Sequence, residues 1–235
     1  MKAHIINIVL VFFVLIGCKG NAQNNSSNCS KYYPFNEGHI SEYEMRNKKG
    51  KTDGTMKYTV NNVSNSGGTT TATIHSELFD KKGKLVLDSA FDMSCNGSTV
   101  TMDFKSLMNA DMMKQFDNLE TEITGTNVEL PNTLTAGQIL PDANINIKMN
   151  MGGMNMNMTT HITNRKVVGT ETITTPAGTF ECVVITQTSS GKMMVANFNS
   201  SQKTWLAEGV GMVKYEDYNS NRKLQNTTVL TSFSK

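Results

Sequence analysis

Four cysteines, four prolines and a single tryptophan stand in 235 residues, and charged residues make up only 18% of the chain, with a formal net charge of +2. Each shortage excludes something. No two cysteines have C-x-x-C spacing, so zinc ligation of the usual kind is not expected. With little charge and no basic stripe, the chain lacks the electrostatic footprint of a nucleic-acid binder. Beyond the N-terminal leader there are three histidines, His39, His75 and His161, and none belongs to an H-E-x-x-H pattern. A G-x-S-x-G elbow, a phosphate loop and a dinucleotide fingerprint are also missing, so neither a cofactor nor enzymatic activity is expected. The scarcity of proline, beside abundant Thr, Ser, Asn and Gly, suits many strands joined by tight turns.

What is present begins with an apolar run, Ile5 to Ile16, behind a short start carrying Lys2. A membrane-spanning helix needs about 20 apolar residues, so this shorter run reads as a signal peptide. Two processing sites compete. Leu15-Ile16-Gly17-Cys18 matches a bacterial lipobox, which would leave Cys18 as an acylated N-terminus. Gly20-Asn21-Ala22 suits an ordinary signal peptidase, with Gln23 as the first mature residue. The expected organisation is a signal peptide over 1–22, a polar tether over 23–30 and one β domain over 31–235. The product is either an outer-membrane lipoprotein, touching the membrane only through Cys18, or a soluble periplasmic or secreted protein. About 210 residues then remain, enough for one domain with a sizeable core. Cys29, Cys95 and Cys182 are an odd number, which permits one disulfide and leaves one thiol over, with the pairing open.

Period-two alternation dominates the remainder of the chain. Leu85, Leu87, Phe91, Met93 and Cys95 share one parity, and Asp88, Asp92 and Ser94 the other. Asn96-Gly97 then predicts a two-residue hairpin turn, with Cys95 facing Ser98, Met93 facing Val100 and Phe91 facing Met102. Further turns are expected at Asn47–Lys51, Asn65–Gly68, Asp80–Lys84, Thr175–Gly178 and Asn219–Lys223. One stretch, Ser106 to Phe116, lacks alternation and is rich in helix formers. Its Met108, Met112 and Phe116 recur every four residues and predict a short amphipathic helix. Glu120 and Glu122 share a strand face and read as solvated, and Trp205 reads as an anchor of the core rather than a binding platform.

The most unusual local feature is Met149-Asn150-Met151-Gly152-Gly153-Met154-Asn155-Met156-Asn157-Met158. A Gly152-Gly153 turn opposes Met151 to Met154 and Met149 to Met156, and brings Ile147 opposite Met158, placing five methionines on one face. Core packing is the plainest role. The same face, Met149, Met151, Met154, Met156 and Met158, is a candidate wall for an apolar ligand, because methionine side chains are flexible and polarizable. Thioether sulfurs also select Cu(I), which makes Met151, Met154 and Met156 candidate copper ligands. No His or Cys lies within the hairpin, so metal binding ranks last. Leucine at these three positions separates the roles, since it keeps folding and lipid binding but abolishes Cu(I) binding.

Four stretches in order carry a family resemblance: Cys29 to Gly38; Leu130-Pro131-Asn132-Thr133-Leu134, with Gly137-Gln138 and Leu140-Pro141-Asp142; Thr174 to Cys182; and Ala207 to Lys214. Together they resemble the TapB-like exported proteins of Gram-negative bacteria, related to a large family of unknown function. The resemblance covers about Cys29 to Lys235. It implies a single, strongly curved antiparallel sheet, a half-open barrel akin to lipoprotein carriers, and one short helix is expected beside it. It implies no established activity and no catalytic residues. It also implies cleavage near Ala22 and ordinary packing for the methionine hairpin. The expectation is therefore a non-catalytic envelope protein whose concave face holds a lipid or other apolar small molecule. The alternative is a structural module that binds another envelope protein, with Cu(I) binding third.

Overall fold

The computed structural model describes residues 29–102, 120–151, 154–193 and 196–234, at a few strand positions through the backbone alone. Thirteen strands follow one another: β1 (Ile40–Asn47), β2 (Thr52–Ser66), β3 (Thr69–Asp80), β4 (Leu85–Cys95), β5 (Thr99–Met102), β6 (Glu120–Thr126), β7 (Val128–Pro131), β8 (Ala143–Met151), β9 (Met154–Thr175), β10 (Gly178–Met193), β11 (Ala196–Ala207), β12 (Gly211–Asn219) and β13 (Leu224–Phe233). They form one antiparallel sheet in the order β6-β8-β9-β10-β11-β12-β13-β1-β2-β3-β4-β5-β7.

The two outermost strands, β6 and β7, are consecutive in the chain and separated by Asn127 alone. The edges of the sheet must therefore meet there. The expected half-open sheet is corrected to a nearly closed barrel. β6 and β7 do not pair with each other, so the barrel stops just short of full closure. Alternation assigns residues to faces but carries no information on which edges meet, so the sequence pattern understates the curvature. The expected short helix falls on Ser106 to Phe116, which lies outside the described residues; among those residues no helix occurs.

Local turn chemistry follows the sequence closely. Asp80 accepts the Lys82 and Lys84 amides through Oδ1 at 2.8 and 3.0 Å, and Asn47 and Asn219 hold their loops the same way. Gly50 and Gly83 take the left-handed position of their loops at φ 72° and 77°, whereas the third loop has Arg222 there at 58°. The β4–β5 hairpin differs from expectation by one residue. Cys95 pairs with Val100 and Met93 with Met102, so Gly97-Ser98 is the turn. Asn96 supplies its side-chain oxygen to the Ser98 and Thr99 amides, which draws the turn forward. Facing partners shift by two positions, so the apolar face survives.

Successive residues of the long strands enter opposite cores. Ile185, Leu206 and Met212 belong to the large interior cluster with Tyr32, Phe35, Ile74, Phe91 and Leu140. Their neighbours Val184, Trp205 and Val213 form a second, outer cluster with Cys182. The end of the β9–β10 hairpin covers the outer cluster with Ile173 and Phe180, and the Phe180 ring meets Phe233 at 5.9 Å. Trp205 donates its indole N–H to Glu171 at 2.8 Å, and the Lys203 and Lys214 ammonium groups lie 4.5 and 4.6 Å from its ring centroid. Burial pushes the free Cys182 thiol up to about 11, so it remains protonated and inert at neutral pH.

Candidate functional site

Residues 29–39 do not join the sheet as a strand; they pack against its interior. Tyr32 and Phe35 are buried in the interior cluster, with Cys29 and Tyr33 beside them. A disulfide joins Cys29 to Cys95, 66 residues away, which resolves the pairing that the sequence left open. Asn132 reinforces the attachment: its Oδ1 accepts the Lys31 amide at 3.0 Å, and its amide nitrogen donates to the Cys29 carbonyl. Gly209 donates to the Lys31 carbonyl at 2.9 Å. Gly211, at φ 89°, has the Tyr33 ring 3.2 Å from where a Cβ would stand, so only glycine allows this approach.

Behind this segment two pockets lie among the described residues. One cavity of about 170 Å³ is bounded by Tyr33, Phe35, Tyr43, Tyr58, Phe91 and Met212, among others. A second, of about 230 Å³, is bounded by Val100, Leu130, Ile162, Arg165, Ile185 and Leu206, among others. Tyr33, Met93 and Met102 line both. The side chains common to both are therefore one aromatic ring and two flexible thioethers, and thioethers can repack. Joined, the chambers reach the lower part of the roughly 300–1,000 Å³ usual for ligand sites.

The first chamber is apolar apart from a few hydroxyls and one imidazole. Burial pushes the Tyr33 and Tyr58 hydroxyls up to about 12, and Tyr43 higher still. His39, 8% exposed, has its pKa lowered by the same cause. It contacts the Ser41 hydroxyl at 3.1 Å and faces the Phe233 ring. Neutral tyrosines and a neutral imidazole keep this chamber free of charge at neutral pH.

The second chamber contains a cation. Arg165 is 3% exposed, and a distortion of β9 puts it inside. Thr186 pairs with Lys166 and Thr188 with Thr163, so Asn164 and Arg165 together oppose Gln187. Asn164 absorbs the extra residue at φ 55°, a conformation asparagine tolerates better than most. The bulge shifts the alternation by one, so Ile162, Arg165 and Val167 are all buried. The segment before β8 satisfies the exposed backbone: Leu140 donates to the Arg165 carbonyl and Val167 to the Gln138 carbonyl, each at 2.9 Å.

The Arg165 guanidinium donates from Nη1 to the Pro141 carbonyl at 2.6 Å and from Nε to Gln187 Oε1 at 3.4 Å. Gln187 in turn donates to Gln202, which also accepts from Ser189, at 2.8 and 3.0 Å. Burial lowers the Arg165 pKa, and Asp142, Tyr33 and Glu129 oppose that at longer range. Among the described residues no carboxylate forms an ion pair with Arg165. No group of three or more metal-ligating side chains occurs among them either.

Among the described side chains, none of the site candidates read from the sequence lines either pocket. Cys18 lies outside the described residues. In the methionine hairpin the backbone register pairs Met151 with Met154, Met149 with Met156 and Ile147 with Met158. Met158 is half-buried, and the side chains of Met149, Met151, Met154 and Met156 lie outside what is described. The methionines that line the two chambers are Met93, Met102 and Met212. Arg165 escapes a reading of the sequence because Thr163-Asn164-Arg165-Lys166 looks like a solvated polar stretch. Its one clue is Asn164, a residue suited to a bulge.

A model of the DUF3108-like family matches residues 36–230. The chain belongs to that family. Among proteins with curated descriptions none matches it. Two solved structures share the fold. One, from Bacteroides fragilis, is described as exported and as having a YmcC-like fold; it is 20% identical, with a TM-score of 0.69 over 88% of this chain and 100% of that one. The other, from Parabacteroides distasonis, is described as a lipoprotein; it is 22% identical, with the same TM-score of 0.69 and the same coverage. At these identities the likeness speaks for the fold.

Proposed function

We propose that this member of the DUF3108-like family is a non-catalytic, exported envelope protein that carries an apolar ligand, a lipid or acyl chain, inside its barrel. The observation that carries the proposal is the pair of largely apolar pockets behind residues 29–39, both lined by Tyr33, Met93 and Met102. Protein cores are normally packed to crystal-like density, and voids larger than a water molecule are few. Two pockets that share movable lining side chains suit a binding chamber better than a structural module. The export part of the reading, including the narrower likeness to TapB-like proteins, rests on the leader sequence and on the descriptions of the two structural neighbours.

Native mass spectrometry of the protein purified from its own cell envelope tests this reading. An added mass of a few hundred daltons, lost on denaturation, is expected. A bare polypeptide would overturn the carrier and favour a module that binds another envelope protein. The same spectrum reads the N-terminus, as an acylated Cys18 or as Gln23.

A further inference from the structure

We propose that Arg165 is the head-group anchor of the carried ligand, and that the ligand is a single acyl chain ending in a carboxylate. This rests on the carrier reading above and names its ligand class.

The first ground is the state of the guanidinium. Arginine stays protonated in proteins and offers five N–H donors in a planar fork. Two donors of Arg165 are engaged, both by neutral acceptors, the Pro141 carbonyl and Gln187. Among the described residues no carboxylate touches the guanidinium, and Asp142 and Glu129 act on it only without contact, beside a cavity that it lines. A buried charge with no counter-charge in contact is costly, and an incoming anion reduces that cost. The fork geometry suits a bidentate carboxylate.

The second ground is the asymmetry of the two chambers. In the second, Arg165, Gln187 and Thr204 provide polar groups against walls such as Leu130, Ile162 and Leu206. In the first, the lining is mainly aromatic and aliphatic. An amphiphile with its head at Arg165 and its tail past Met93 and Met102 matches both. The chambers are about 230 and 170 Å³, which accommodates one chain and not the two chains of a phospholipid. The third ground is that β9 spends a bulge, with Asn164 at φ 55°, to bring this arginine inside. Bulges of this kind commonly re-aim a side chain at a functional site.

The test is isothermal titration of the mature protein with dodecanoate, dodecanol and dodecyl phosphate, repeated on Arg165→Gln and Arg165→Lys. Dodecanoate is expected to bind at least tenfold more tightly than dodecanol. Arg165→Gln should bring acid and alcohol to equal affinity, and Arg165→Lys should restore part of the difference. Equal binding of acid and alcohol by the unmodified protein overturns the anchor while leaving the carrier standing. So does a preference for the acid that persists in Arg165→Gln. Tighter binding of dodecyl phosphate than dodecanoate overturns the carboxylate. If Arg165→Gln does not fold, the comparison on the unmodified protein still decides. Failure of all three probes, with a ligand mass present in the envelope-purified protein, overturns the anchor alone. Failure with a bare polypeptide mass overturns the carrier as well.

Discussion

Reducing the Cys29–Cys95 bond should destabilise the protein by about 4 kcal/mol, the chain-entropy value for a loop of its size. The bond spans 66 residues and encloses β1 through β4, so its loss frees a large part of the unfolded chain. The folded state keeps most of its contacts, because Tyr32 and Phe35 remain buried and Asn132 still holds Lys31. For a chain of roughly 200 residues each kcal/mol lowers Tm by roughly 2–4 °C, so a fall of roughly 8–16 °C is expected. The assay is urea unfolding followed by Trp205 fluorescence, with and without dithiothreitol, on the unmodified chain and on the Cys29→Ala, Cys95→Ala double variant. Dithiothreitol should move the unmodified midpoint close to that of the double variant and leave the variant unchanged. Cys182 is already a free thiol, so reduction reports on one bond. A loss below about 1 kcal/mol would refute the reasoning, since the cross-link would then restrict a chain end that packing restricts already.

Single groups carry further expectations. His39 has a depressed folded pKa, so the unfolded chain takes up its proton first; stability should be full above about 6.5 and fall as pH drops through and below that value. His39→Gln should remove this step from a pH series of urea midpoints while leaving the steeper loss below about pH 4.5, where Glu44 and Glu171, both held low by hydrogen bonds, become protonated. In the paired loops, Gly83→Ala should cost about 1–2 kcal/mol because φ is 77° there. Arg222→Gly, relieving the same strain at 58°, should cost nothing or add up to about 1 kcal/mol, read from thermal midpoints. Arg165→Met should unfold at no lower urea concentration than the ligand-free protein, because it removes a buried charge with no carboxylate in contact among the described residues and keeps the stem volume. A loss above about 2 kcal/mol would instead make the Pro141 contact structural.

Period-two patterning and turn residues made most strands and hairpins legible, because both are local. Asp80, Asn47 and Asn219 announced their loops, and the methionine hairpin pairs in the register that its glycines imply. Where two local signals competed, at Asn96-Gly97-Ser98, the side-chain oxygen of Asn96 moved the turn by one residue without changing which face is apolar. Closure was not legible, since it depends on β6 and β7 lying at opposite ends of a thirteen-strand order. The disulfide was not legible either, because Cys29 precedes the sheet and its partner is chosen by where residues 29–39 cross the interior. The site was hidden for a related reason. Arg165 is one residue out of phase with Ile162, and only the bulge at Asn164 makes both interior.

Closure, cross-link and charge bear on one another. A void in an ordinary core shrinks because the surrounding elements relax toward it. Here the walls belong to one hydrogen-bonded sheet whose edge strands are joined by Asn127, and the segment across the interior is tied at Cys29. Strand pairing and the bond both oppose inward movement of these walls. Water filling the chambers would meet Arg165, Gln187 and Thr204 in one and His39, Ser41 and the tyrosine hydroxyls in the other, against mostly apolar walls. An occupant that is apolar along its length and anionic at one end satisfies both the walls and the guanidinium. On the proposed carrier reading, Met93 and Met102 would repack around the acyl chain while Arg165 holds its charged end.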